Sequence, residues 1–300
     1  MEIRVLKYFL ETARQENITR AAEELHITQP ALSRQLHELE EELGTSLFNR
    51  GKKRTTLTDS GRRLRRRAEE IIALSDKTKA EFLAPTASLS GDIYIGAAET
   101  EGVRTLFRAF RRMLAASPDL RLHVYSGNAE KVSDLLDKGI LDFGLLCNPP
   151  HLRRYAYIKL NHKDTWGILM KKDSSLAAHA FISREDLLHA PLIISKQSLD
   201  NGEFNHWFRR DMKELSIIGT YNLLFNASLM AEEGLGYVLC IDEIIHLSED
   251  GPLTFRPLKP AVTTSDYFIW KRNQLLSPAA DALRLALEKE QEQEKERENK

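Results

Sequence analysis

Side chains of the kinds that read DNA bases lie on one face of a short helical pattern near the N-terminus. With the leucines of residues 29–43 turned inward, the outward positions are Gln29, Pro30, Ser33, Arg34 and His37. Glutamine suits adenine, arginine suits guanine or a phosphate, and small residues allow close approach to a base edge. Thr28 precedes them as a candidate helix cap and belongs to the same predicted DNA-contacting set. The pattern predicts a DNA-reading helix; an ordinary solvated helix face is the alternative for this stripe alone, and His37 is a phosphate contact or a bystander.

Basic residues are concentrated just after this helix. Residues 50–67 hold nine of them against one acid, Asp59. The first four, predicted to reach phosphates or the minor groove, are Arg50, Lys52, Lys53 and Arg54. A charged hairpin tip that only aids solubility is the alternative for these four. For the run at 62–67 (RRLRRR), contact with flanking phosphates and solvation of a helix surface remain equally open.

The elements that must position these residues are short helices and a hairpin. Apolar residues at helical spacing predict helices around residues 6–13 and 18–25, with Asn17 as an N-cap, and a third helix that ends at Gly44. Apolar and β-branched residues around the basic turn at 51–54 predict a wing. A long helix follows and ends at Pro85. Its 4-3-4-3-4 spacing predicts a weak coiled coil through Leu64, Ala68, Ile71, Ser75, Thr78 and Phe82.

The rest of the chain alternates between strand and helix patterns. Strands are predicted at 93–96, 120–125, 143–146, 166–170, 192–194 and 237–239, with helices at 103–114 and 132–136. Short strands that alternate with helices predict an α/β fold on a largely parallel sheet. The last thirteen residues, nearly all charged or amide, predict a fraying helix or a disordered tail.

Composition and absent motifs exclude several classes of protein. The 300 residues are 42% hydrophobic and 29% charged, with a net charge of −1, which excludes a disordered or fibrous chain and fits about two domains. No apolar run reaches the ~18 residues of a membrane span, and two cysteines favour a reducing cytosol, so we expect a cytoplasmic protein without a membrane partner. The nine histidines are dispersed, and Cys147 with His151 is the nearest approach to a metal pair. We therefore expect no catalytic site, metal or cofactor.

The N-terminal motif resembles that of the LysR-type transcriptional regulators. The resemblance rests on residues 17–35 (NITRAAEELHITQPALSRQ) and continues through Leu39-Glu40, Gly44, Leu47-Phe48, Arg50 and residues 57–61. It is dense over about sixty residues and looser beyond them. It implies a winged helix-turn-helix at 1–58 and a dimerising linker helix and hinge at 59–88. An effector-binding domain is implied at 89–290, similar to type 2 periplasmic solute-binding proteins, with subdomain I at about 89–160 and 265–290, subdomain II at about 161–264, and a charged tail at 291–300.

Candidate effector contacts lie where strands end and helices begin, the usual place for ligands in α/β folds. They are Thr100, Ser126, Asn128, Ser195, Lys196, Gln197 and Asn226. Their positions look like those that the family uses for effectors, although routine helix capping is the alternative for each. Glu99 departs from the pattern. If its carboxylate enters the cleft, an amine-bearing effector is favoured over an organic acid, and if it faces solvent it carries no information.

These observations predict a sequence-specific, DNA-binding transcriptional regulator controlled by a small-molecule effector. The resemblance implies binding to an interrupted palindrome in double-stranded DNA, a homodimer formed through the linker helix, a homotetramer, and action on RNA polymerase. One alternative is an α/β metabolite-binding enzyme with a DNA-binding appendage. Another is a DNA-packaging protein, disfavoured because a separate domain of about 200 residues has no purpose there and the chain is not strongly basic.

Overall fold

The computed structural model describes residues 1–51, 54–83, 89–149 and 151–298. The chain forms two compact units, Met1–Ala84 and Pro85–Lys300. None of the helices within these described ranges combines the length and the apolar character that a bilayer crossing requires.

The first unit is a three-helix bundle with a small hairpin and a long helix. Its elements are α1 (Ile3–Gln15), α2 (Ile18–Glu24), α3 (Gln29–Leu43), β1 (Phe48–Arg50), β2 (Thr55–Leu57) and α4 (Asp59–Leu83). The buried apolar faces of α1 and α3 form one core, in which the ring of Phe9 packs at 5.2 Å from that of Phe48 in the hairpin. These elements agree with the predicted helix-turn-helix and wing.

The predicted caps of this unit are only partly realised. The Asn17 side chain accepts hydrogen bonds from the backbone N–H groups of Thr19 and Arg20, as an N-cap should. Gly44 ends α3 in the left-handed conformation, at φ 64°. Thr28 occupies the N-cap position of α3, but its side chain makes no capping hydrogen bond.

The start of α4 is held tightly against the hairpin. The Thr58 hydroxyl accepts from the N–H of Gly61 and donates to the carbonyl of Ser46. A Cβ on Gly61 would lie 2.2 Å from the Leu47 carbonyl oxygen, so only glycine fits there. The Glu40 carboxylate accepts the N–H groups of Leu47 and Phe48. Several residues that carry the family resemblance therefore connect α3, the wing and the long helix. They are residues 40, 47–48 and 57–61.

The second unit is an α/β fold around one ten-stranded sheet. Its elements are β3 (Gly91–Ala97), α5 (Val103–Ala116), β4 (Leu120–Ser126), α6 (Ala129–Asp137), β5 (Phe143–Cys147), β6 (Tyr155–Lys171), β7 (Ile182–Ser183), α7 (Arg184–Leu187), β8 (Leu192–Ser195), α8 (Lys196–Asp200), α9 (Asn205–Phe208), β9 (Ile217–Tyr221), α10 (Leu224–Glu232), β10 (Tyr237–Ile241), β11 (Leu253–Lys259), β12 (Thr263–Lys271) and α11 (Pro278–Glu298). The strand order is β4-β3-β5-β12-β6-β10-β8-β9, and β11 pairs with β6 and β7.

The sheet is mixed rather than largely parallel, which corrects the sequence-based expectation. Strands β4, β3 and β5 are parallel, and so are β10, β8 and β9. Between these two groups run the long strand β6 and its antiparallel partner β12. One hydrophobic core contains Ile93 and Phe143, and a second contains Ile168 and Ile194. The cores therefore define two lobes, I and II, joined by β6 and β12.

The C-terminal helix extends through residues that the sequence pattern assigned to a charged tail. Helix α11 runs to Glu298, and Gln291 within it is buried. The Gln291 side-chain oxygen accepts the N–H of Asn161, at 2.7 Å, and the carboxylate of the buried Glu290 pairs with Arg112 of α5. Charge alone did not distinguish these two packed residues from the solvated ones that follow.

Candidate functional site

The outward face of α3 carries the predicted base-reading residues. Thr28, Gln29, Pro30, Arg34 and His37 are exposed, and Ser33 is half-buried. The leucines at 32, 36 and 39 are buried on the opposite face. The first two turns of α3 therefore present small and hydrogen-bonding side chains together, which is the arrangement that a major-groove helix needs.

Arg34 and His37 each pair with a glutamate one turn farther along α3. Arg34 is 75% exposed and lies 3.6 Å from a Glu38 oxygen, and His37 Nε2 lies 3.3 Å from Glu41. Exposed pairs of this kind contribute about 0–1 kcal/mol, so the Arg34 side chain can leave Glu38 for a base or phosphate. His37 stays open between a phosphate contact and a surface pair.

The basic residue Arg54 lies immediately before the second strand of the wing. Arg54 is exposed and lies 3.3 Å from the Glu16 carboxylate. The backbone carbonyl of Glu16 also accepts the N–H of Thr55. Arg50 is the last residue of β1. Lys52 and Lys53 lie outside the described residues. Sequence reasoning missed Glu16, which ties the wing to the end of α1.

Three arginines of the 62–67 run pair with acids along α4. Arg62 pairs with Asp59, Arg65 lies 3.1 Å from Glu69, and Arg67 lies 3.0 Å from Glu70. These i,i+3 and i,i+4 contacts are typical of a solvated helix surface. They support that interpretation for this run, and contact with flanking phosphates stays open.

A cavity of about 100 Å³ opens in the second unit at the ends of strands from both lobes. Because one water needs ~10–15 Å³, the cavity is large enough for a small molecule. Its lining residues are Ala98, Glu99, Gly127, Asn128, Ala129, Cys147, Trp166, Ser195, Gln197, Ser198, Glu203, Tyr221, Asn222, Leu223, Leu224, Cys240, Ile241 and Ile244. Three predicted effector contacts, Asn128, Ser195 and Gln197, lie in this lining.

Two hydrogen bonds cross between the lobes beside the cavity. The Glu99 carboxylate accepts the backbone N–H of Leu224, at the start of α10. The Gln197 side-chain oxygen accepts the N–H of Ala129, the first residue of α6, at 2.9 Å. Asn128 caps α6 by accepting the N–H of Lys131. Glu99 therefore faces the cleft, which decides the alternative that the sequence left open.

Other predicted effector residues lie outside the cavity lining. Ser126 is exposed at the end of β4, and Asn226 is exposed on the first turn of α10. Lys196 pairs with Asp200 at 2.8 Å and faces a neighbouring hollow of about 470 Å³, which Asn128 and Gln197 also border.

Thr100 is buried behind the cavity between two carboxyl groups. Its hydroxyl oxygen lies 2.8 Å from Asp164 Oδ2 and also contacts Asp266. Because a hydroxyl has one hydrogen, it donates to one carboxylate, and the other carboxyl group must carry a proton to complete the pair. Burial and the nearby Asp164 charge raise the pKa of Asp266 from 3.8 to about 6.

One group of described residues could hold a metal ion, and it differs from the pair noted in the sequence. The donor atoms of Cys147, Asp164 and Asp266 lie within 4.8 Å of one another. His151 is not part of this group. Burial, followed by the charges of Asp266 and Asp164, raises the pKa of the Cys147 thiol well above its usual value, so the thiolate that a metal needs is disfavoured. Below a pH of about 6, a proton on Asp266 relieves the repulsion between the two carboxyl groups.

The cavity also contains residues that sequence reasoning missed. Trp166 and Tyr221 line it, and the Tyr221 hydroxyl donates to the Leu239 carbonyl at 2.8 Å. The Glu203 carboxylate accepts a hydrogen bond from Ser198, at 2.7 Å. Trp166 is the first residue of a predicted strand, and its position at a strand end could have identified it as a cleft residue. Glu203 follows a short helix and carried no such signal.

Two family models match the chain. Residues 3–62 match the model described as "Bacterial regulatory helix-turn-helix protein, lysR family", and residues 86–292 match "LysR substrate binding domain". YvbU, an uncharacterised HTH-type transcriptional regulator of Bacillus subtilis, is 28% identical over 80% of this chain and 81% of its own length. The transcriptional regulator BudR of Raoultella terrigena is 26% identical over 91% of this chain and 95% of its own.

Solved structures show the same fold. CbnR in complex with its target DNA superposes with a TM-score of 0.74 at 18% identity, over 97% of this chain and 100% of that one. A full-length OxyR variant of Pseudomonas aeruginosa superposes with a TM-score of 0.56 at 22% identity, over 97% of this chain and 99% of that one. The named relatives are transcriptional regulators and not enzymes.

Proposed function

The chain belongs to the LysR family of DNA-binding transcriptional regulators and carries that family's effector-binding domain, and from this premise we propose how it reads DNA and responds to a ligand. Two copies bind an interrupted palindrome in double-stranded DNA, one recognition helix in each half-site. A small molecule in the cleft of the second unit changes the arrangement of the copies and thereby the access of RNA polymerase. This activity belongs in the bacterial cytoplasm.

The observation that carries the proposal is the polar outer face of the first two turns of α3. Gln29 and Arg34 are exposed there, while the leucines of the same helix are buried in the core. A helix presented in this way inserts its N-terminal turn into the major groove, where Gln and Arg discriminate base edges. CbnR, which shares the fold, was solved on its target DNA. Arg54 and the other basic residues of the wing supply phosphate contacts beside the helix.

The long helix α4 supplies the pairing of two copies. Leu64 and Ala68, the first two positions of the predicted seam, pack on the core of their own unit. Farther along, Ile71 and Leu74 are 37% and 43% exposed. They lie three residues apart on one face, so a second copy of α4 can cover them.

The cleft couples ligand binding to conformation through the contacts between its lobes. The Glu99–Leu224 and Gln197–Ala129 hydrogen bonds both join lobe I to lobe II. A ligand that binds better to one lobe arrangement shifts the population toward it, and only such a difference in affinity produces a response.

Selection of binding sites from random DNA duplexes tests the DNA-reading proposal. The full-length protein is expected to enrich an interrupted palindrome. In Gln29→Ala or Arg34→Ala, the preference for one base should be lost at one position of each half-site. Each lost base contact is worth about 1–3 kcal/mol, or roughly 5- to 150-fold in affinity. Arg4→Ala removes an exposed arginine of α1 that pairs with Glu2, and serves as the control. Enrichment without a defined site contradicts the proposal.

A further inference from the structure

We infer that the effector held in the cleft is a small amine-bearing cation rather than an organic acid. The inference rests on the proposed role of the cleft as the effector site, and it concerns the chemical class of the ligand. It is carried by three features of the lining: its charge, the occupancy of backbone donors at two helix starts, and its aromatic side chains.

The charged side chains that line the cavity are both acidic. They are Glu99, from the end of β3, and Glu203, after α8. Within the part of the chain that the structure describes, no lysine, arginine or histidine belongs to this lining. Behind the wall formed by Cys147 lies the pair Asp164 and Asp266. A carboxylate ligand would meet carboxylates without a cation to balance it, whereas an ammonium group would be attracted.

At two helix starts in the lining, those of α10 and α6, a backbone donor suited to an anion is already occupied by one of the protein's own oxygens. A helix N-terminus attracts anions through its free N–H groups. At α10 the first such group, on Leu224, donates to the Glu99 carboxylate. At α6 the N–H of Ala129 donates to the Gln197 side chain. Glu99 thus occupies the Leu224 N–H, and an acidic effector could bind that donor only by displacing the Glu99 carboxylate.

The remaining lining is suited to a cation with an apolar body. A carboxylate has about four acceptor sites, so Glu99 and Glu203 can still accept hydrogen bonds from an ammonium group after those that they already make. Trp166 contributes an indole ring, the aromatic group that attracts cations best. Burial, with Cys240, Glu99 and Glu203 nearby, raises the pKa of the Tyr221 hydroxyl well above its usual value. This shift is consistent with a negative potential at the cavity wall.

The test compares ligands that differ only in charge, on the full-length protein. The probes are unbranched chains of two to six carbons, supplied as primary amines or diamines, as alcohols and as carboxylates, at constant ionic strength. At least one amine is expected to raise Tm by several degrees, and alcohols and acids are not. Calorimetric titration of that amine then gives its Kd.

Isosteric variants connect the result to the cleft. Glu99→Gln retains an oxygen that can accept the Leu224 N–H, so it removes the charge with little effect on packing. Glu99→Gln and Glu203→Gln are each expected to weaken amine binding by roughly tenfold or more, as loss of a charged hydrogen-bond partner does. Glu214→Gln removes a carboxylate from an exposed position outside the cavity and should leave Kd unchanged.

Three results would overturn the inference: stabilisation by carboxylates and not amines, no stabilisation by any amine, or equal amine affinity in all variants. Stabilisation by a carboxylate would leave the proposed effector site intact and refute only its assignment to cations. Failure of the regulator proposal appears separately, as the absence of a palindrome in the duplex selection.

Discussion

One hydroxyl hydrogen, that of Thr100, lies between the buried carboxyl groups of Asp164 and Asp266. Asp164 is on β6 and Asp266 is on β12, the two strands that join the lobes. Burial and the Asp164 charge oppose the ionisation of Asp266, so it keeps its proton to a higher pH than an ordinary aspartate does. The protonation state of this residue is therefore coupled to the stability of the folded second unit.

Replacement of Asp266 by asparagine is expected to stabilise the protein at neutral pH more than at acidic pH. The folded-state pKa of about 6 lies above the ordinary 3.8, so the folded state binds the proton more tightly. The free energy of unfolding therefore falls as the pH rises from about 4 to 6, by up to about 3 kcal/mol, and the deficit persists above pH 6. Thermal unfolding of wild type and Asp266→Asn at pH 5 and 7.5 measures the difference.

The control for this experiment is Asp119→Asn, which removes an exposed carboxylate. Its stability relative to wild type should not vary between the two pH values. If the stability of Asp266→Asn changes with pH as much as that of the wild type, then Asp266 is ionised at both pH 5 and pH 7.5.

The neighbours Glu99 and Thr100 show where prediction from sequence reaches its limit. Both follow β3, and the sequence indicated that this strand end lies near a ligand site. It did not indicate which side chain enters the cleft, because the regular alternation of side chains ends with the strand. In the structure Glu99 lines the cavity and Thr100 is buried behind it. Asn128 and Ser195 were predictable, because a cap at a helix start also faces the cleft.

The elements of the first unit were predictable for a local reason. Caps, helical spacing and the basic turn act over a few residues, so α1 to α4 follow from adjacent sequence. The sequence predicted only residues 166–170 of strand β6 and no part of β12, since their pairing is long-range. Residues 155–165 include polar side chains typical of an exposed surface. The crossing of these two strands makes the sheet mixed.

Helix α4 shows how one spacing can serve two contacts. The 4-3-4 pattern predicts a coiled coil, but packing against a neighbouring helix of the same unit has the same period. The structure assigns Leu64 and Ala68 to the internal contact and leaves Ile71 and Leu74 exposed. The proposed pairing surface therefore begins farther along the helix than the spacing indicated.

Leu74→Glu is expected to weaken the association of two copies through α4. A carboxylate at the centre of an apolar helix–helix contact is desolvated without a partner, which opposes pairing. Ala73→Glu adds the same charge at an exposed position on a different side of the helix and serves as the control. Sedimentation equilibrium of the full-length proteins should show dissociation at higher concentration for Leu74→Glu only. Equal dissociation of both variants would place the contact elsewhere.

At the scale of the whole molecule, the second unit exposes apolar residues on elements of both lobes. Val124 and Tyr125 of the edge strand β4 are 43% and 40% exposed, and Phe107 of α5 is also exposed. In the other lobe, Phe225 and Leu229 of α10 are 63% and 45% exposed. Large apolar side chains exposed in this way are typical of interfaces between copies. They support the proposed homotetramer, in which α4 makes one contact and the second units make another.

Phe225→Asp is expected to convert the tetramer into a dimer without disturbing the contact through α4. The charge would be buried at the second interface, whereas in the isolated copy it stays in water, so association is weakened and folding is not. Leu275→Asp makes the same change at a residue that is 98% exposed, in the connection before α11, and should leave the mass unchanged. Light scattering after gel filtration measures the mass of each variant.

The double variant Leu74→Glu, Phe225→Asp should be a monomer, because it lacks both proposed contacts between copies. On DNA, the Phe225→Asp dimer should still protect one palindrome but lose any protection beyond it. An unchanged mass for Phe225→Asp would exclude α10 from the interface and leave α4 as the proposed contact between copies.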